Sequence, residues 1–254
     1  MIQQYPMRQR VRKAIIILAF LSFPITMNFF SPYVIIDGAA SGIVNGSLVM
    51  FGLMFIFSLF LGRLWCGWVC PAGGLQEMVE PVNTRAVNGK KVDWIKWLIW
   101  IPWISFIIVL AVRAGGYHSV DLLLHTQGGI SVAGSADRPI AIAYIIYYFV
   151  IALFIGLAFF VGRRAGCHTI CWMAPFMIIG RWLRNLLAWP SMRLKADPET
   201  CADCKKCTSN CPMSLDVNGM VQLGKMENAE CILCGTCVDN CSKHAIRYSF
   251  SSGK

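Results

Sequence analysis

Charged residues are what this sequence has least of. They fill 14% of its 254 positions, against about 25% in an ordinary soluble domain. Only 13 are acidic, while 23 are basic. A disordered, collagen-like or nucleic-acid-coating chain needs far more polar or basic surface, so those classes are excluded. Histidine is rarer still, with His118, His125, His168 and His244 the whole set. None lies in a long apolar run, so the chain offers no pair of imidazoles to a haem inside a membrane. No P-loop, no G-x-G-x-x-G fingerprint and no G-x-S-x-G elbow occurs, which leaves nucleotide and hydrolase chemistry without a residue set.

What is present is apolar. Hydrophobic residues make up 56% and the mean hydropathy is +0.57. Four runs approach the roughly 20 residues that cross a bilayer: Ala14–Phe30, Ser47–Leu61, Ile95–Val112 and Ile140–Val161. The first, preceded by Arg8, Arg10, Arg12 and Lys13, has the look of a secretory leader, but no small-x-small cleavage site follows directly, and it is read as a retained anchor. Arg63, Arg85, Lys90, Lys91 and Lys96 lie between or beside the second and third runs, and Arg163 and Arg164 follow the fourth. The two opposite loops hold only Arg113 and Arg138. Because basic loops stay inside, this distribution predicts an inner-membrane protein with both termini cytoplasmic.

Past Ala196 the hydrophobic runs stop. Residues 196–254 carry six Lys/Arg and seven Asp/Glu, so the positive charge belongs to the membrane part and a nucleic-acid partner is not expected. The fold class predicted is an all-α four-span transmembrane bundle with a small C-terminal α+β domain. Residues 1–174 form the bundle, 175–195 a linker and 196–254 the tail domain. Within the linker, Pro175–Arg193 alternates apolar and basic residues at helical spacing. That pattern suits an interfacial helix on the inner leaflet or, equally, a helix packed on the tail.

Eight of the twelve cysteines fall in the tail, as Cys201-x2-Cys204-x2-Cys207-x3-Cys211-Pro212 and Cys231-x2-Cys234-x2-Cys237-x3-Cys241. This is the bacterial two-cluster ferredoxin spacing, in which three thiolates of a run hold one cluster and the fourth holds its neighbour. It assigns Cys201, Cys204, Cys207 and Cys241 to one 4Fe–4S centre, and Cys231, Cys234, Cys237 and Cys211 to the other. Zinc sites usually pair two C-x2-C units, and disulfides are disfavoured in a reducing cytosol. Ser242 stands where a proline is usual, which leaves the ligand set complete.

The other four cysteines form two C-x3-C pairs, Cys66/Cys70 after the second run and Cys167/Cys171 after the fourth. On a helix, positions i and i+4 share a face, and both pairs leave on the same predicted side. Four converging thiolates fit a third 4Fe–4S cluster; a structural zinc ion fits the count as well, and so do spare redox thiols.

With these motifs quoted, the layout resembles the membrane ferredoxin-type 4Fe–4S proteins. That family includes the quinol-dehydrogenase subunit of periplasmic nitrate reductase systems and the C-terminal half of the nitrous-oxide-reductase maturation flavoprotein. The resemblance implies an integral membrane iron–sulfur protein that passes electrons between the quinone pool and a redox partner protein. It departs at the second pair, where the family has C-x3-C-P and this chain has Trp172 after Cys171. The alternatives are a relay subunit without its own substrate site, and a redox-sensing or maturation protein.

Without a haem, electrons have no cofactor path across the roughly 30 Å hydrocarbon core. A quinone site wired to these clusters is therefore expected near the inner face. Arg63, Arg163 and Arg164 are read as positive-inside anchors that could also meet a quinone headgroup. His168 is read as a hydrogen-bonding neighbour of the pair-bound centre. The outer loop with His118, Asp121, His125 and Asp137 is read as an ordinary polar loop, proton uptake from a quinol being its other use.

Overall fold

Runs of Leu, Ile, Phe and Ala satisfy their backbone internally only as helices when water is absent, and helices dominate the architecture. The computed structural model describes residues 6–133 and 139–252. Two of its helices are long and apolar enough to cross a membrane, Gly89–Arg113 and Ile140–Phe160, of 25 and 21 residues. They correspond to the third and fourth runs of the sequence. Their large apolar side chains, Leu98, Ile101, Ile108, Val112, Ile145 and Phe149 among them, are exposed.

The first two runs fold differently from simple spans. Met7–Leu21 and Phe23–Phe30 meet at a bend of 55°. Pro24 lies in the first turn of the second segment, where it has no N–H to continue the ladder and its ring crowds the turn before it. Gly46–Leu61 is unbroken but has only 16 residues, about 24 Å at 1.5 Å per residue, short of a roughly 30 Å core. Asn45 caps it by accepting from Leu48 N, and Gly62, at φ 56°, ends it.

The linker stretch forms the helix Ala174–Leu186. One face packs along Gly46–Leu61. A Cβ on Gly180 would collide with Ser58 Oγ, so only a hydrogen there lets the two helices approach this closely. The opposite face leaves Trp182, Leu186 and Leu187 exposed. Arg181, Arg184 and Arg193 reach onto the tail, where all three meet Glu227 Oε1 at 3.2, 3.4 and 3.2 Å.

The tail is α+β. Ser191–Ala196 pairs antiparallel with Ile246–Ser251, Ser191 opposite Ser251 and Ala196 opposite Ile246. The tail's sheet thus begins at Ser191, inside the stretch assigned to the linker. Short helices Lys206–Ser209, Val217–Gln222 and Thr236–Asp239 fill the loops between the strands. At the other end of the helices, Ile43–Asn45 and Ser119–Asp121 form a small parallel pair.

Candidate metal centres

The two cysteine runs of the tail fold as copies of each other. Left-handed backbone recurs at equivalent positions, Asp203 and Leu233, Lys205 and Gly235, Ser214 and His244, all with φ between 50 and 78°. Five of these six carry a side chain, and each such residue costs about 1–3 kcal/mol unless its surroundings impose the geometry. Turns of this kind aim successive N–H groups into one concavity, the arrangement that suits an anionic iron–sulfur cluster. Cys201, Cys204, Cys207 and Cys241 line one such cavity. Cys211, Cys231, Cys234 and Cys237 line another. The fourth cysteine of each run thus sits with the first three of the other.

None of the twelve cysteines is in a disulfide. Burial pushes the Cys211 thiol up to about 12 and the Cys231 thiol up to about 11, so a positive partner is needed for these groups to ionise at neutral pH. A cluster or metal ion supplies one, and the donor set fits a 4Fe–4S group.

The membrane-face cysteines also converge. Cys66 and Cys167 lie in the short helices Leu64–Trp68 and Ala165–Thr169. Cys66, Cys70, Cys167 and Cys171 are all buried in the hydrophobic core, which also takes in Cys207, Cys211, Cys234 and Cys237 of the tail. Burial raises Cys171 to about 12, and the charges of Cys167 and Cys66 add to that. Cys70 is raised well above its ordinary value by burial and then by Cys66, Cys167 and Cys171. Cys66, Cys167 and Cys171 thus lie close enough to Cys70 for their charges to act on it. Gln76 Nε2 donates to Cys167 Sγ at 3.2 Å.

This group abuts the tail. Gly67, between Cys66 and Cys70, has no room for a Cβ, which would run into Ile232 O between Cys231 and Cys234. Trp68 Nε1 donates to Leu233 O at 3.3 Å, and Gln9 Nε2 donates to Cys234 O at 3.0 Å. Gly67→Ala must push backbone against backbone, at a cost of about 1–3 kcal/mol. The expected outcome is a lowered midpoint of thermal unfolding with the second tail centre lost first; an unchanged midpoint would contradict this contact.

Charge is handled in a way the sequence reading did not anticipate. Arg63 and Arg164, two of the three expected inner-face anchors, are buried together with Lys96, at 0%, 1% and 1% exposed. Arg63 Nη1 and Lys96 Nζ both pair with the Glu230 carboxylate, at 2.6 and 2.8 Å. Burial would raise that carboxyl, but the two cations hold it at about 2. Arg12 and Arg164 clasp Glu77 in the same way, and Arg164 Nη1 also donates to Cys66 O at 2.8 Å. The scarcity of acids was the available signal: Glu230 directly precedes Cys231, and Glu77 follows Cys70 closely.

His168 is fully buried beside Cys167 and its Nδ1 lies 2.6 Å from Asp93 Oδ1. Asp93, His168 and Glu230 bring ligand atoms within 4.8 Å of one another. Lys96 Nζ already stands there as the cation, 3.5 Å from Asp93 and 2.8 Å from Glu230. In the opposite loop, Asp121 Oδ1 caps a turn by accepting from Leu123 N, and His118 is exposed. His125 pairs through Nε2 with the carboxylate of Asp37. Asp137 and Arg138 lie outside the described residues.

Comparison with known proteins agrees with the donor chemistry. Residues 46–88, which include Cys66 and Cys70, match a 4Fe–4S binding domain, and residues 200–246 match a 4Fe–4S dicluster domain. Uncharacterized protein MJ0750 of Methanocaldococcus jannaschii is 27% identical over 84% of this chain and 83% of its own length. The Escherichia coli protein named "Putative electron transport protein YccM" is 24% identical over 82% of this chain. Protein RdxA of Cereibacter sphaeroides is 26% identical over 78% of it. The matched parts span 57% of the second of these relatives and 44% of the third. No solved structure matches. The chain is an iron–sulfur protein with two 4Fe–4S-type segments and at least two helices able to cross a membrane.

Proposed function

We propose that this is an integral membrane electron-transfer protein with three 4Fe–4S clusters, exchanging electrons between membrane quinone and a redox partner protein. The observation that carries the reading is the crossing of the two tail cysteine sets around two separate cavities, the geometry of an electron relay rather than of a zinc fold. Cys201, Cys204, Cys207 and Cys241 hold one cluster; Cys211, Cys231, Cys234 and Cys237 hold the second. Cys66, Cys70, Cys167 and Cys171 hold the third. When bound, each cluster stores and releases one electron. The chain's own residues bury the thiolates, set Gly67 against Ile232 so that neighbouring centres lie close, and place Arg63 and Arg164 where they offset the thiolates' negative charge.

In this reading the bent first segment and the short Gly46–Leu61 helix complete four spans, the short one by tilt or local thinning of the bilayer. Both termini and all clusters face the cytoplasm. The E. coli relative's name points to the same electron-transport role. The test uses anaerobically loaded protein in vesicles, reduced with dithionite and then mixed with a short-chain quinone. Reoxidation should saturate with quinone concentration, as binding at a site requires. A rate that rises linearly without limit would overturn the quinone reading. Protease should remove the 196–254 tail from inside-out vesicles and not from right-side-out ones.

A further inference from the structure

The quinone reading leaves open where a headgroup would bind, and two places compete. At the end away from the cysteines, Nδ1 of His125 is buried without a hydrogen-bond partner among the described residues while Nε2 pairs with Asp37. That arrangement could take a proton. The cavity beside it, however, offers only about 20 Å³, room for about one water and not for a quinone ring.

The other place is larger by more than an order of magnitude. A cavity of about 490 Å³ lies between the N-terminal helix, the segment 77–84 and the tail, within the roughly 300–1,000 Å³ typical of small-molecule sites. Its tail wall is Ser209, Asn210, Pro212, Thr236 and Asn240; these flank Cys211, Cys237 and Cys241, so an occupant would rest against loops of both tail centres. Its other wall includes Lys13, Glu80, Thr84 and Arg163. Arg163 donates through Nη1 to Ser209 O at 2.8 Å, while its Nε is buried without a partner among the described residues.

The wall also meets the end of a helix long and apolar enough to cross a membrane. Asn83 Nδ2 donates to Phe159 O at 2.7 Å, and Arg163 N to Arg85 O at 3.0 Å, which ties this segment to the end of the membrane helix Ile140–Phe160. Val82 and Phe160 are exposed there, 68% and 77%, an apolar lip beside a polar cavity.

We propose that this cavity binds the headgroup of a membrane quinone, with Arg163 donating to a ring oxygen and Glu80 exchanging the proton. The proposal rests on the quinone reading above and gives it a site. In the oxidising direction a hydroquinone loses two O–H protons and two electrons. Two oxidised 4Fe–4S groups held by the tail cysteines would take up one electron each, Glu80 would take one proton as its carboxylate and water the other; reduction would run the same balance backwards. Burial, and then the Glu77 charge, push the Glu80 carboxyl up, which makes it a better proton acceptor.

The test is photolabelling of the full, cluster-loaded chain in lipid vesicles with an azido-substituted short-chain quinone, followed by peptide mapping. Label is expected on the peptides spanning 77–85 and 160–164. Arg163→Gln should lower that labelling about tenfold, the loss of one charged hydrogen bond, while His125→Ala leaves it unchanged. Thr84→Val serves as the second variant should Arg163→Gln lose iron. Label on the 115–133 loop would overturn this site and leave quinone exchange standing. No label anywhere on chains with full iron content would overturn both.

Discussion

Glu230→Ala is expected to be the most damaging single change outside the cysteines, at about 3–5 kcal/mol. Its carboxylate is the shared partner of Arg63 and Lys96, whose side chains are 0% exposed. Removing it leaves Arg63 in the interior without its carboxylate and Lys96 with only Asp93, 3.5 Å away, a far larger penalty than breaking a surface pair of about 0–1 kcal/mol. The pair also clamps the tail just before Cys231 to the chain just before Cys66, so the loss should fall on both neighbouring centres. Thermal unfolding and iron retention measure it. Glu230→Gln, which keeps some hydrogen bonding, should be milder. A change no larger than that of an exposed ion pair would contradict the burial of this contact.

The second large effect separates residues that are neighbours in sequence. Cys211→Ser and Cys231→Ser should each remove about four iron atoms, a whole cluster's complement, and both should erase the same reduced-state EPR signal. Cys201→Ser and Cys241→Ser should erase the other. Cys207 and Cys211, only one helical turn apart in sequence, should therefore give different spectra. If each run instead closed its own cluster, Cys211→Ser would match Cys201→Ser, and the crossed arrangement of the two cavities would lose its meaning.

The cysteine spacing is legible in the sequence because ligand spacing is a local property. Three thiolates two residues apart can wrap one face of a cluster whatever surrounds them, and the fourth must go elsewhere. The backbone that makes this possible was not legible. Of the six left-handed positions that recur in the two cysteine repeats only Gly235 announces itself; Asp203, Lys205, Leu233, Ser214 and His244 adopt that conformation because the turn demands it. The third and fourth apolar runs were legible for the opposite reason, since long uninterrupted apolar stretches admit one solution. Pro24 in the first run carried the signal of its bend.

The buried charges were the main surprise. A sequence shows Arg63 and Arg164 at helix ends, where lipid headgroups or water would satisfy them, and nothing in the spacing pairs Arg63 with Glu230 across the chain. Tertiary packing makes that pair, as it makes the two close approaches at Gly67 and Gly180. In each case a residue that looks generic in sequence is fixed by what another segment brings to it.

In the proposed function Cys66, Cys70, Cys167 and Cys171 form a third centre continuous with the two in the tail. Iron, sulfide and zinc per chain on anaerobically purified protein, with EPR of the dithionite-reduced sample, tests it most directly. About twelve iron and twelve sulfide without zinc is the result expected for three 4Fe–4S clusters. About eight of each, with or without one zinc, would contradict it and leave the helical part as an anchor for a two-cluster ferredoxin.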